Sequence, residues 1–190
     1  MVEHAVLGVL VGGRSRRMGG RPKGLLEAPG GGETLVERLA REGRAAGLEP
    51  VLVGEAAAYA SVAPDVQRLA DDPPGVGPLG GLAALLAHAG DRDAIAVGCD
   101  MPYVDAAILR RLVGDPRDAG VLAARRDGRW EPLLARYRAR HVHPALTAAL
   151  AEGVRSFQEL FARLDVAELP VDEALSRALA DWDAPDQLPR

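Results

Sequence analysis

Short apolar runs alternate with amphipathic segments along the first 113 residues, and this alternation constrains the fold more than any other feature of the sequence. Four apolar runs predict buried strands, at 4–11, 49–54, 66–71 and 93–100. Helical patterns lie between and after them, at 33–47, 77–90 and 104–113. Strands that alternate with helices favour a parallel sheet covered on both faces. The sequence therefore predicts an α/β fold with a doubly wound, mostly parallel sheet.

The second half of the chain follows a different pattern. Residues 119–138 predict two strands joined by a tight turn at Asp127-Gly128, a dipeptide typical of hairpins. Helices are predicted at 141–152 and 156–164, while the tail from residue 172 has a mixed pattern. We therefore expect an antiparallel addition to the sheet in the C-terminal half.

Length, charge and cysteine content narrow the class of protein. A chain of 190 residues holds one full core, so we predict a single domain over 1–190. The net charge of −4 argues against a broad nucleic-acid surface. No apolar run approaches the roughly 20 residues that span a bilayer, and the N-terminus does not resemble a signal peptide. The single cysteine, Cys99, fits a reducing compartment. We expect a cytoplasmic protein that binds neither nucleic acid nor membranes.

The loop after the first predicted strand, LVGGRSRRMGGRPKGLL at 10–26, contains five glycines, five basic residues and no acid. Glycine lets the backbone approach a ligand closely, and the adjacent cations predict a bound anion. The loop is not a Walker A loop, because Lys23 is followed by Gly24 rather than by Ser or Thr. A GxGxxG pattern occurs at Gly75–Gly80, but two neighbouring prolines remove N–H groups that a pyrophosphate would need.

Ligands of doubly wound sheets bind beyond the carboxyl ends of the strands. Three segments come directly after predicted strands: the loop that follows residue 11, residues 70–81, and residues 98–103. We expect these segments to meet at one edge of the sheet.

Five segments in chain order carry a family resemblance. They are G-G-x-x-x-R-M-G-x-x-x-K-x-L-L at 12–26, LADDPPGVGPLGGL at 69–82, AVGCDMPYV at 96–104, RWEPLLARYR at 129–138 and DWDAPDQL at 181–188. Together they resemble the molybdenum cofactor guanylyltransferases, a family of MobA-like nucleotidyltransferases. The resemblance implies a Rossmann-like nucleotidyltransferase fold, with a nucleotide-binding half at 1–113 and an acceptor-binding half at 114–190.

The resemblance also implies an activity: Mg²⁺-dependent transfer of GMP from GTP to the terminal phosphate of molybdopterin, with release of pyrophosphate. The partners would be GTP and molybdopterin, together with cofactor-delivery or molybdoenzyme-chaperone proteins. The nucleotide-binding residues carried over by position are Leu10, Val11, Gly12, Lys23, Asp71 and Asp100. Lys23 would hold the phosphates and Asp100 would bind Mg²⁺.

The chemistry of nucleotidyl transfer assigns roles within this set. An anionic nucleophile approaches an anionic triphosphate, so the protein must neutralise charge and align the partners. Gly12 and Gly13 would surround the phosphates with backbone N–H groups. Arg17 and Lys23 would stabilise the leaving pyrophosphate. Together with Asp100 they are the predicted catalytic residues.

Three positions depart from the residues that are usual in the family. Pro22 replaces an Asp, Gly54 replaces a frequent Asn, and Asp181 and Asp183 replace two Asn residues. Asp183 is the candidate for a second carboxylate at the Mg²⁺ ion. Pro-Lys and a C-terminal Asp also occur in the related cytidylyltransferases for molybdopterin. Three hypotheses stay open: GMP transfer, transfer with CTP or to a sugar phosphate, and a non-catalytic nucleotide or cofactor carrier.

Structural roles compete with several of these functional ones. Asp100 could cap the helix that follows it, and Asp71 or Asp72 could begin a turn before the prolines. Cys99 is best explained as a small buried residue. Trp130 could stack on a pterin or pack beside the hairpin.

Overall fold

The structure, a computed structural model, describes residues 5–11 and 22–182. Its strands are β1 (Val6–Leu10), β2 (Glu49–Val53), β3 (Gln67–Leu69), β4 (Asp93–Gly98), β5 (Val121–Ala123), β6 (Arg125–Arg126), β7 (Arg129–Trp130), β8 (Ala135–Arg138) and β9 (Val166–Glu168). Its α-helices are α1 (Leu35–Ala45), α2 (Pro78–Ala89), α3 (Ala106–Gly114), α4 (Ala139–Ala151), α5 (Phe157–Phe161) and α6 (Glu173–Ala178). None of the helices in these ranges is both long and apolar enough to cross a membrane.

Seven strands form one sheet in the order β3-β2-β1-β4-β8-β5-β9. β1 lies parallel to β2 on one side and parallel to β4 on the other. β8 runs antiparallel to both β4 and β5, and β9 runs parallel to β5. This topology confirms the predicted α/β fold, with a mostly parallel sheet and an antiparallel addition in the C-terminal half.

The region 119–138 differs from the two continuous strands that we predicted. β5 and β8 pair in the main sheet, while β6 and β7 pair separately as a small hairpin. The predicted turn is present, with positive φ angles of 49° at Asp127 and 76° at Gly128. Leu134 also has a positive φ, 64°, where the chain returns from the hairpin to β8. Because β6 and β7 lie outside the main sheet, each of the two predicted strands is divided into two shorter strands.

The sheet separates two apolar cores. Alternate residues of β1 enter them, because side chains of a strand point to opposite faces: Leu7 and Val9 enter one core, and Val6 and Leu10 the other. A Cβ added at Gly8 would lie 2.4 Å from Cδ2 of Leu85, so α2 packs directly against the central strand. The two cores thus fix the position of β1 in the sheet.

Helix ends follow local signals that the sequence contains. The predicted capping box of α1 is present: the Glu37 N–H donates to Thr34 Oγ1 at 3.3 Å, and the Thr34 N–H donates to Glu37 Oε2 at 2.7 Å. Ser156 caps α5 as predicted, but α5 ends at Phe161 rather than at 164. α6 and β9 were not predicted, because both are short: α6 lies in the tail with a mixed pattern, and β9 lies between the predicted helix 156–164 and that tail.

Arg136 joins β8 to the end of α3. Its side chain is only 2% exposed, and its guanidinium donates to the carbonyl oxygens of Leu112, Asp115 and Arg117. These carbonyls belong to the last turn of α3 and the segment after it, where a helix leaves acceptors without internal partners. Arg136 therefore satisfies buried acceptors that would otherwise be unpaired.

We expect Arg136→Met to lower the free energy of unfolding by about 3 kcal/mol, because buried carbonyl groups lose their donors. Urea unfolding followed by circular dichroism measures the change. Arg140→Met, on an exposed position of α4, is the control and should stay within about 0.5 kcal/mol of wild type. Equal effects of the two substitutions would contradict the role of Arg136.

Candidate active site

The carboxyl ends of the parallel strands are joined by main-chain hydrogen bonds. The Val11 N–H donates to the Val53 carbonyl at 2.9 Å, and the Cys99 N–H donates to the Leu10 carbonyl at 3.1 Å. The Gly54 N–H, directly after β2, donates to the Leu69 carbonyl at the end of β3 at 2.9 Å, so the segments that follow β1, β3 and β4 begin at the same edge. The expectation of a single common edge is confirmed for the described residues.

Lys23 and Asp100 meet at this edge, 77 positions apart in the chain. Lys23 Nζ lies 2.8 Å from Asp100 Oδ2, and the two side chains are 19% and 23% exposed. Asp100 does not cap the next helix, because Asp105 performs that role by accepting from the Ile108 N–H at 2.9 Å. The Asp100 carboxylate instead forms an ion pair in which both side chains are partly exposed.

Gly24 sets the position of Lys23. Lys23 begins a short 3₁₀ turn, Lys23–Leu25, and a Cβ at Gly24 would lie 2.5 Å from Val36 Cγ2 and 2.8 Å from Tyr59 Cε1. The Tyr59 hydroxyl contacts the Gly24 backbone and the Cys99 thiol, and burial raises the pKa of Tyr59 above its ordinary value. The turn that carries Lys23 is thus packed directly onto a neutral aromatic side chain.

Cys99 lies beneath the ion pair and is buried, as predicted. Burial is the largest cause that raises the pKa of its thiol to about 12, and the negative charge of Asp100 adds to the effect. The thiol is therefore protonated at neutral pH. Cys99 thus places a small, uncharged side chain between β4 and the turn that follows it.

Asp71 stands close to the ends of β1 and β2. A Cβ at Gly81 in the first turns of α2 would lie 3.2 Å from Asp71 Oδ1, 3.3 Å from Val53 Cγ1 and 3.8 Å from Leu10 Cδ2. Burial, and then the negative charge of Glu55, raise the pKa of Asp71. The protein therefore keeps a carboxylate where its charge is unfavourable for stability.

The other predicted nucleotide contacts have different positions. Leu10 and Val11 are 9% and 7% exposed, so a ligand would reach them mainly through their main-chain atoms. Asp72 is exposed and its N–H donates to the Gly80 carbonyl at 3.1 Å, which agrees with its predicted role in a turn. Four further candidates lie outside the described residues: Gly12, Gly13, Arg17 and Asp183.

One contact at the site was not predicted. The Trp182 N–H donates to the Asp100 carbonyl at 2.9 Å, and the Trp182 side chain is 4% exposed. An isolated tryptophan in a polar tail was the available signal. It gave no indication of which segment the side chain packs against.

The oxygen of Asp100 suits a Mg²⁺ ion, which prefers carboxylate, phosphate and water oxygens. Within 5–11 and 22–182, no group of three or more His, Cys, Asp or Glu side chains could hold a metal. Asp100 would hold such an ion together with oxygens of a nucleotide and water.

Comparison with known proteins shows that the chain is a nucleotidyltransferase and gives its family. The model of the MobA-like NTP transferase domain matches residues 7–167. A probable molybdenum cofactor guanylyltransferase of Opitutus terrae is 36% identical, over 96% of this chain and 92% of that protein. A molybdenum cofactor guanylyltransferase of Pseudomonas putida is 32% identical, over 95% and 93%.

A solved structure agrees with these relatives. The molybdopterin-guanine dinucleotide biosynthesis protein A of Archaeoglobus fulgidus superimposes with a TM-score of 0.77 at 26% identity, over 95% of this chain and 93% of that one. The chain belongs to the MobA-like NTP transferase family, which confirms the resemblance drawn from the sequence.

The raised pKa of Asp71 predicts a gain in stability when its charge is removed. Because the folded pKa exceeds the unfolded one, stability falls as pH rises through the interval between them. We expect Asp71→Asn to raise the melting temperature at pH 7 by about 1 to 3 °C, and the gain to vanish at acid pH, where the wild-type carboxyl is protonated in both states. Thermal melts at several pH values measure this.

The exposed neighbour provides the control, since Asp72→Asn makes the same chemical change on an exposed side chain and should change the melting temperature less than Asp71→Asn does. A gain for Asp71→Asn that does not depend on pH would show that charge is not its cause.

The packing of Gly24 predicts a steric effect. We expect Gly24→Ala to lower the free energy of unfolding by about 1 to 3 kcal/mol, because Val36 and Tyr59 leave no room for a methyl group. Gly114→Ala is the matched control, since a Cβ there has no atom within 4 Å. Chemical unfolding that gave the same stability for both variants would refute the close packing at Gly24.

Proposed function

We propose that the protein transfers GMP from GTP to the terminal phosphate of molybdopterin, giving the guanine dinucleotide cofactor and pyrophosphate. The observation that carries the proposal is the Lys23–Asp100 pair at the carboxyl edge of the sheet, in a chain of the MobA-like NTP transferase family. Guanylyltransferases among its relatives, matched over nearly their whole length, support the choice of GTP and molybdopterin.

The reaction exchanges one phosphate linkage for another. An oxygen of the acceptor phosphate forms a bond to the α-phosphorus of GTP, and the bond from that phosphorus to the oxygen bridging the β-phosphate breaks. Pyrophosphate leaves with the electron pair. The acceptor phosphate is ionised at neutral pH, so the step needs alignment and charge neutralisation rather than a general base.

Lys23 and Asp100 would contribute to charge neutralisation in different ways. On binding, the Lys23 ammonium would leave the carboxylate and contact the phosphates, where it stabilises the charge of the departing pyrophosphate. Asp100 would hold the Mg²⁺ ion, which supplies Lewis-acid polarisation of the phosphoryl oxygens. Arg17, Gly12 and Gly13 complete the proposed phosphate site.

Asp71 and the ends of the strands would hold the nucleoside. The Asp71 carboxylate accepts hydrogen bonds, and its cost in desolvation is offset when N–H or O–H donors of a ligand reach it. The main-chain atoms of Leu10 and Val11 would border the same space. This assigns the nucleoside to the side of the sheet edge next to β2 and α2.

The acceptor would approach from the other side, along the hairpin. Leu133 belongs to the segment between the hairpin and β8, and its Cδ1 would lie 3.3 Å from a Cβ at Gly98, close to Asp100. Trp130 packs on Phe161 with ring centroids 6.2 Å apart, and the Arg125 guanidinium lies 5.3 Å above its ring. A cationic and aromatic surface suits an anionic pterin, so we include Trp130 in the proposed acceptor side.

Two alternatives rest on specific residues. Pro22 and the C-terminal Asp residues favour CTP as the donor; a sugar phosphate as the acceptor is the related enzymatic alternative. Pro22 is also the residue that favours a carrier without turnover. Gly54 gives no support to either alternative, because its φ of 109° suits glycine on backbone grounds alone.

The proposal includes a cytoplasmic location, where GTP is available, and proteins that deliver molybdopterin or receive the product. It involves neither nucleic acid nor membranes as partners.

Titration calorimetry with GTP, CTP, ATP and UTP in the presence of Mg²⁺ tests the donor. We expect GTP to bind best, and pyrophosphate release to require both GTP and molybdopterin. A preference for CTP would replace guanylyl transfer by cytidylyl transfer. Tight nucleotide binding without pyrophosphate release would favour the carrier.

Asp100→Asn tests the proposed metal ligand. We expect turnover to fall at least about 100-fold, with the fold retained, because the carboxylate that binds Mg²⁺ and aligns the phosphates is lost. Asp105→Asn makes the same chemical change five positions away, and asparagine also caps helices, so its activity should match wild type. Near-normal turnover of Asp100→Asn would refute the assignment.

A further inference from the structure

Trp182 connects the two segments that carry the ion pair. Its side chain belongs to a small buried cluster with Leu26, Ala28 and Leu35, separate from the two main cores. Its N–H donates to the Asp100 carbonyl at 2.9 Å. One residue therefore contacts both the segment after Lys23 and the residue that bears the carboxylate.

The contact on the Lys23 side is close in sequence to the lysine itself. The Leu26 N–H donates to the Lys23 carbonyl at 2.9 Å and closes the 3₁₀ turn, while the Leu35 N–H donates to the Leu26 carbonyl at 3.0 Å. Trp182 belongs to the same buried cluster as both leucines. Packing of the indole in this cluster therefore restrains the turn that carries the Lys23 ammonium group.

The contact on the Asp100 side also involves more than one residue. Tyr103 follows Asp100 and meets the Trp182 ring edge to face, with centroids 6.4 Å apart and an angle of 88°. The Arg177 guanidinium of α6 lies 5.0 Å above the Tyr103 ring. The end of the described chain is therefore attached to the turn after β4 by a hydrogen bond and by aromatic packing.

We propose that Trp182 is a positioning residue for nucleotidyl transfer, which fixes the main-chain positions of Lys23 and Asp100 so that their side chains reach the phosphates and the metal. The assignment of the reaction rests on the proposed function, whereas the contacts that Trp182 makes with the two segments do not. Trp182 does not contact the reacting atoms. It acts through the main chain of Asp100 and through the turn that ends at Leu26.

Cys99 provides a test of these Trp182 contacts that needs no nucleotide. It is the only cysteine of the chain, is buried and directly precedes Asp100, so its rate of labelling by a thiol reagent reports opening of this turn. We expect Trp182→Ala to label about tenfold faster than wild type under native conditions. Trp182→Phe retains an aromatic ring against Leu26 and Tyr103 and should label at nearly the wild-type rate.

Leu146→Ala is the matched control, because Leu146 is fully buried in α4, in the core on the other side of the sheet. It should reduce the melting temperature without accelerating Cys99 labelling to the same extent. If Leu146→Ala and Trp182→Ala label equally fast, Trp182 is an ordinary core residue and the inference is overturned.

Kinetics test the positioning role itself. We expect Trp182→Ala to lower kcat for pyrophosphate release about 100-fold at a temperature where it is folded, with Trp182→Phe restoring most of it. Nucleotide affinity should show coupling: Trp182→Ala weakens GTP binding more in wild type than in Lys23→Ala, since one of the two contacts of Trp182 acts through Lys23. Independent, additive effects would contradict the proposal.

The two proposals fail in different ways. Absence of nucleotide binding by the wild-type protein would overturn the proposed function, while Cys99 labelling would still decide whether Trp182 holds the turn. Normal nucleotide binding and turnover in Trp182→Ala would overturn the positioning role alone.

Discussion

β1 is hydrogen-bonded to a parallel strand on each side, and this double pairing determines where every other part of the site stands. A shift of β1 by one residue would turn Gly8 to the opposite face and bring a side chain into the space that Leu85 occupies. The two cores therefore hold the register of β1 against β4, and the register sets the point at which Asp100 leaves the sheet. The position of the carboxylate follows from apolar packing many residues away from it.

The parallel part of the fold could be predicted because strands buried on both faces read as continuous apolar runs, as in 93–100, and because Thr34 and Glu37 specify a helix start. β9 could not be predicted in the same way. Its three residues become a strand by pairing with β5, and nothing within 166–168 distinguishes them from an irregular segment. The division of 119–138 into four strands likewise depends on where the hairpin leaves the sheet.

The site was predictable to the extent that topology determines it. Parallel strands place their carboxyl ends at one edge, so the approach of Lys23 to Asp100 follows from the order of the elements. The packing of Tyr59 under Gly24, and of Trp182 beside Asp100, involves side chains from segments that no periodic pattern relates to each other. Such contacts depend on the shape of the assembled protein, which a pattern of apolar residues does not encode.

The proposed function gives a physical reason for the pairing of Lys23 with Asp100. The ammonium group and the carboxylate offset each other's charge in a site that is mostly buried, so each can leave the other only for another partner of opposite charge. A nucleotide with Mg²⁺ offers each of them a partner of higher charge: phosphates for Lys23 and a divalent ion for Asp100. Binding then exchanges one set of paired charges for another without leaving either group unpaired. A site that is held in this way is already oriented before the ligand arrives, which reduces the entropy that binding must offset.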